Sequence, residues 1–219
     1  MLPIDKLQTP GEHSFFFEGA VGKLEAIVTV PPEVSGHHVA LLGHPHSLQG
    51  GSMNNKVVTT MARAFRELGI PSLRFNFRGV GASEGEYDAG HGESEDMILL
   101  RNLWAKQAPD SCFLFAGFSF GSYVAFRAAS QCEHELLISV APPVHHYDFH
   151  EFPHPSSNWQ ILMGDEDEVV PLNLVLEFAD SFNPPIPVIR YPETSHFFHG
   201  KLLLLKDDII KLASQQVLK

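Results

Sequence analysis

Ser119 stands at the centre of Gly117-Phe-Ser-Phe-Gly121, after the apolar run 112–116 and before a run of small and apolar residues, 122–129. A strand that turns sharply into a helix is the setting in which a serine hydroxyl is held clear of the chain as a nucleophile. The glycines follow from that geometry. The serine must occupy a strained turn, and side chains two positions to either side would collide with neighbouring backbone. The helix starting there offers N–H groups to a developing negative charge. A serine hydroxyl is a weak nucleophile by itself, so the chemistry also needs a histidine base and a carboxylate to orient it. After Ser119, the apolar run 159–163 leads into Gly164-Asp-Glu-Asp-Glu-Val-Val-Pro171, which offers Asp165 and Asp167. Farther on, residues 188–191 are followed by Glu193-Thr-Ser-His196-Phe-Phe-His199-Gly200, which offers His196 and His199.

Placing these groups together requires a scaffold, and the hydrophobic pattern predicts one. Two strands open the chain. In the second, residues 23–30, Leu24, Ala26, Val28 and Val30 share one face, as in an antiparallel strand with one wet side. Residues 39–42, 112–116, 136–140 and 161–163 are instead nearly continuous apolar runs, as parallel strands covered on both faces require. Helical stripes lie between them over 54–68, 93–106 and 202–217, and Pro171 suits the first position of a further helix. Alternating strands and helices predict one α/β domain over 1–219 with a mostly parallel, doubly wound sheet flanked by helices. No repeat or linker divides it. Residues 142–158 fit no element and read as an ordered loop.

On these motifs the chain resembles the α/β-hydrolase superfamily over nearly its full length. Leu41-Leu-Gly-His-Pro-His-Ser-Leu-Gln-Gly-Gly51 resembles the His-Gly oxyanion loop. Arg74-Phe-Asn-Phe-Arg-Gly-Val-Gly-Ala-Ser-Glu-Gly85 resembles the Arg-Gly-x-Gly-x-Ser-x-Gly turn of the next strand, and the serine elbow is the third match. Together they are similar to a small bacterial subfamily of lidless serine hydrolases whose oxyanion loop reads His-Pro-His-Pro. Ser47 departs from that pattern in the last position. The resemblance implies the order serine, acid, histidine, and selects Asp167 from Gly-x-x-Asp-x-x-x-Pro and His196 as the base. Asp165 and His199 are the alternatives. It also implies an oxyanion hole made by the N–H groups of Phe120 and, because Pro45 has none to give, His46, with Ser47 one residue on as the alternative second donor. Only residues 142–158 occupy the place of a cap domain, so no large cap is expected.

The expected activity is that of a serine carboxylesterase acting on small acyl esters through an acyl-enzyme, without a cofactor. Amidases, peptidases and acyltransferases use the same machinery, and a catalytically silent version would act as a ligand sensor or interaction module. Several other readings fall away. With 15 Lys+Arg against 26 Asp+Glu, the chain has a formal net charge of −11, which disfavours nucleic acid and anionic membranes as partners. No apolar run is long enough to cross a bilayer, and residues 1–6 lack a secretory pattern, so a cytoplasmic location is expected. Oligomeric state is not legible. Both cysteines, Cys112 and Cys132, read as small buried hydrophobes without a disulfide.

The 13 histidines invite a metal reading, but His44 and His46, and the group His145, His146, His150 and His154, match no zinc spacing. No metal is expected from them; the first pair should order the oxyanion loop and the rest should lie near the site mouth. Gly79-x-Gly81-x-x-x-Gly85 has the wrong spacing for a dinucleotide loop, which leaves Arg78 as a structural anchor. Tyr147, Phe149, Phe152 and Trp159 should divide between core and acyl pocket.

Overall fold

Eight strands in one sheet, flanked by five α-helices, make up the computed structural model, which describes residues 7–153 and 158–217. The strands are β1 (Gly11–Gly19), β2 (Gly22–Val30), β3 (His38–Gly43), β4 (Ser72–Phe75), β5 (Cys112–Phe118), β6 (Leu136–Val140), β7 (Asn158–Gly164) and β8 (Val188–Tyr191). The helices are α1 (Lys56–Glu67), α2 (His91–Gln107), α3 (Phe120–Ala129), α4 (Leu172–Asp180) and α5 (Leu202–Val217). Across the sheet the order is β1-β2-β4-β3-β5-β6-β7-β8. The hairpin β1–β2 joins β4 antiparallel, and every pairing from β4 to β8 is parallel. In β6 all residues are buried, which explains its nearly continuous apolar sequence.

Three expectations need correction. The polar face of β2 is not wet along its length: Ile27 and Thr29 are buried. Arg74 of β4 crosses that face, where its Nη1 donates to Thr29 Oγ1 at 2.9 Å and its Nη2 to Glu12 Oε2 at 2.9 Å. Helix α4 begins at Leu172, and Pro171 is its N-cap with extended backbone (φ −62°, ψ 117°). Cys112 and Cys132 are half-buried rather than buried, and both are free thiols.

Arg78 is the anchor its context predicts. It is buried, and its Nε donates at 2.7 Å to Oδ2 of the wholly buried Asp96. The stretch between β6 and β7 is held just as firmly over its described part, 142–153; His154 lies outside the described residues. Glu151 pairs with Arg127 of α3 and accepts the Tyr123 hydroxyl at 2.6 Å. Phe149 and Trp159 enter the core, whereas Tyr147 and Phe152 stay half-buried. Among the described residues no helix is long and apolar enough to cross a membrane.

Candidate active site

Ser119 ends up at the C-terminal end of β5 in a backbone conformation that side chains usually avoid, φ 54° and ψ −125°. Such strain costs about 1–3 kcal/mol and persists only where the surroundings fix it. Here the Ser119 N–H donates to Val140 O at 2.8 Å, and its carbonyl accepts Ser122 N–H at 2.8 Å and the Ser122 hydroxyl at 2.6 Å. The glycines allow backbone to meet backbone: a Cβ on Gly117 or Gly43 would overlap the Gly121 carbonyl, and one on Gly121 would overlap Gly43.

Three side chains then stand in line. His196 Nδ1–H donates to Asp167 Oδ2 at 2.7 Å, which leaves Nε2 as the acceptor 3.1 Å from Ser119 Oγ. The His196 and Asp167 side chains are 3% and 0% exposed, so this contact is shielded from water. The other Asp167 oxygen accepts the N–H groups of Val169 and Val170 at 2.8 and 2.7 Å, fixing the carboxylate. Asp165 is turned away, bound by Arg190 through Nε at 2.8 Å and Nη2 at 3.0 Å. His199 is exposed, with its ring against Phe197 rather than near the serine. One member of this arrangement had no sequence signal: Glu168 Oε2 accepts the backbone N–H of His196 at 3.1 Å, pinning the loop that carries that histidine.

The loop after β3 faces this line. His46 caps a 3₁₀ turn over Ser47–Gln49, its Nδ1 accepting Leu48 N–H at 3.2 Å, while its carbonyl accepts Gln49 and Gly51 N–H at 3.0 Å. Phe120 is the first residue of α3, where an N–H has no intrahelical partner. Among the described turns, loops and caps, neither the His46 nor the Phe120 amide donates to a backbone carbonyl. The His46 and Phe120 rings lie 5.2 Å apart.

His44 holds this loop from beneath. Its Nε2 accepts Phe77 N–H at 2.9 Å, so Nδ1 carries the proton and donates to Pro45 O at 2.6 Å. Burial lowers its pKa to about 4, against the upward pull of the Pro45 carbonyl. The folded chain therefore refuses a proton that the unfolded chain accepts below about pH 6.5. Stability from this group is present above pH 6.5 and is lost as pH falls to about 4, by about 3 kcal/mol in all. Denaturant titrations at pH 7 and 4.5 should show that loss, and His44→Gln should remove His44's share of the pH slope. An unchanged slope in the variant would contradict the buried neutral ring.

A cleft of about 100 Å³ opens on Ser119 and His196, lined also by His46, Asn55, Val169 and Phe197. Asn55 has a second duty as the α1 N-cap, and only folding reveals that it borders the cleft. The His145 and His146 rings lie 3.9 Å apart, tilted by 41°; burial first, and then His146, lowers the His46 pKa. His150 does not lie at the mouth as expected; it packs on Phe178 and Phe182, drawn there by an aromatic cluster. A larger depression of about 670 Å³, lined by residues such as Glu33, Arg63 and Arg66, contains no serine, histidine and carboxylate in line.

No family model matches the chain. It is similar to the structure of an alpha-beta serine hydrolase homologue from Coxiella burnetii, at 41% identity and TM-score 0.87, covering 91% of this chain and 96% of that one. A serine hydrolase without lid from Xanthomonas campestris is similar at 42% identity and TM-score 0.87, with 91% and 92% covered. An uncharacterised protein of Rickettsia prowazekii is 37% identical over 164 residues, 71% of this chain and 67% of its own length.

Proposed function

The chain belongs to the α/β serine hydrolases without lid, and from that membership we propose that it is a carboxylesterase for small acyl esters. One observation carries the reading: the buried line from Asp167 through His196 to Ser119, with contacts of 2.7 and 3.1 Å. Ser119 Oγ attacks the ester carbonyl while its proton passes to His196 Nε2. Asp167 holds the ring and stabilises the imidazolium, and the N–H groups of Phe120 and His46 receive the oxyanion. Collapse expels the alcohol, which takes the proton from His196. Water then enters by the same route, gives its proton to His196 and releases the acid, and Ser119 regains its hydrogen.

The size of the cleft supports this substrate class. At about 100 Å³ it falls below the 300–1,000 Å³ typical of sites for drug-sized ligands. Each methylene left outside forfeits about 0.8 kcal/mol of binding. Acyl chains of about two to six carbons should therefore give the highest kcat/KM. Measuring p-nitrophenyl acetate, butyrate, octanoate and palmitate tests this; a kcat/KM that climbs steadily to palmitate would contradict it. Comparison with p-nitroanilides separates an esterase from an amidase, and the absence of any turnover or fluorophosphonate labelling would favour a silent ligand-binding role.

A further inference from the structure

At the N-terminal edge of the parallel strands, opposite Ser119, three metal-ligating side chains meet that the ester chemistry does not use. His38 opens β3, Cys112 opens β5 as its register partner, and Glu135 immediately precedes β6. One ligand atom from each lies within 4.8 Å of the other two. Backbone bonds hold the strand starts together, with Cys112 N–H donating to His37 O at 3.0 Å and Glu135 N–H to Phe113 O at 2.9 Å. We propose that His38, Cys112 and Glu135 form a zinc site that clamps β3, β5 and β6 together, with water as the fourth ligand.

The donor set selects the metal. Thiolate, imidazole and a single carboxylate suit the borderline-soft Zn²⁺, whereas Ca²⁺ and Mg²⁺ seek six or more oxygens. A tetrahedral zinc with bonds of about 2.0–2.3 Å needs donors about 3.3–3.6 Å apart, which small side-chain shifts reach from this arrangement. A cavity of about 220 Å³ bordered by Cys112, Glu135, Ser111 and His134 gives water access to the fourth position.

The trio is already drawn together, with His38 Nε2 bonded to Glu135 at 2.8 Å. On binding zinc, the Zn–S bond forms as one proton leaves the Cys112 thiol for solvent, and His38 and Glu135 give lone pairs. The site lies about 20 Å along the strands from Ser119, so it acts on the fold rather than the reaction.

The test uses full-length protein dialysed against a chelator and titrated with Co²⁺, then Zn²⁺. One equivalent of Co²⁺ should produce thiolate-to-cobalt charge-transfer absorption and tetrahedral d–d bands, which Zn²⁺ abolishes. Calorimetry in buffers of different ionisation enthalpy should read one proton released per zinc. The charge-transfer band should vanish in Cys112→Ser and persist in Cys132→Ser, and His38→Gln should weaken binding at least tenfold. Zinc should raise Tm by several degrees and leave ester turnover unchanged. A wild-type protein without the band overturns the proposal whatever the variants do, as does a band that survives Cys112→Ser.

Discussion

Replacing Ser119 with alanine is expected to lower ester turnover by about 10⁴-fold or more, with little change in Tm. The size follows from the role proposed for Oγ: without it no acyl-enzyme forms, and only water attack aided by the oxyanion donors remains. The fold should survive because backbone, not Oγ, holds the elbow. Ser119 N–H keeps its 2.8 Å bond to Val140 O, and Ser122 still binds the Ser119 carbonyl. Alanine inherits the positive φ but brings no larger side chain to accommodate. Turnover by the purified variant, read beside its melting curve, decides the matter. A variant retaining a tenth of wild-type activity would remove Ser119 from the reaction.

Asp167→Asn should cost about 10³–10⁴-fold in kcat, while Asp165→Asn should stay within about threefold. The two substitutions are chemically alike and separated by one residue, which makes their contrast informative. Asparagine at 167 removes the charge opposite the nascent imidazolium. It can also present N–H₂ to His196 Nδ1, and this reverses the tautomer that leaves Nε2 free to accept from Ser119. Asparagine at 165 merely loosens the pair with Arg190, whose side chain is 50% exposed, and exposed pairs contribute about 0–1 kcal/mol. The opposite ranking of kcat would transfer the acid's role to Asp165.

The elements that hold this site could be read in advance because their cause is local. Nearly continuous apolar runs mark β3, β5 and β6, and the helical stripe over 202–217 matches α5 residue for residue. The serine elbow was equally plain, since a turn between strand and helix constrains its own five residues. Choosing Asp167 over Asp165, and His196 over His199, needed the family pattern. Spacing cannot tell which carboxylate faces inward in a loop whose shape depends on Thr194 and Tyr191, both far along the chain. Glu168 was missed for the same reason: its partner is a backbone amide in another loop. The burial of Thr29 required knowing that Arg74 lies across it. The meeting of His38, Cys112 and Glu135 depends on strand order, which places β3 beside β5 and β5 beside β6; no linear spacing announces it. The cysteines read as buried are half-exposed because they sit where strand and helix ends meet solvent.

The contact of Gly43, Gly117 and Gly121 bears on how this enzyme can be altered. Each glycine faces main chain, which no neighbouring side-chain change can trim away. Any side chain at one of the three must move a strand or the start of α3, and Ser119 moves with it. A compensating second mutation is therefore out of reach, and selection walks through sequence space meet a wall at these positions. A randomised library gains by leaving all three untouched. Its diversity is better placed at Val169 and Phe197, exposed residues bordering the cleft, where side chains can change while the backbone stays where it is.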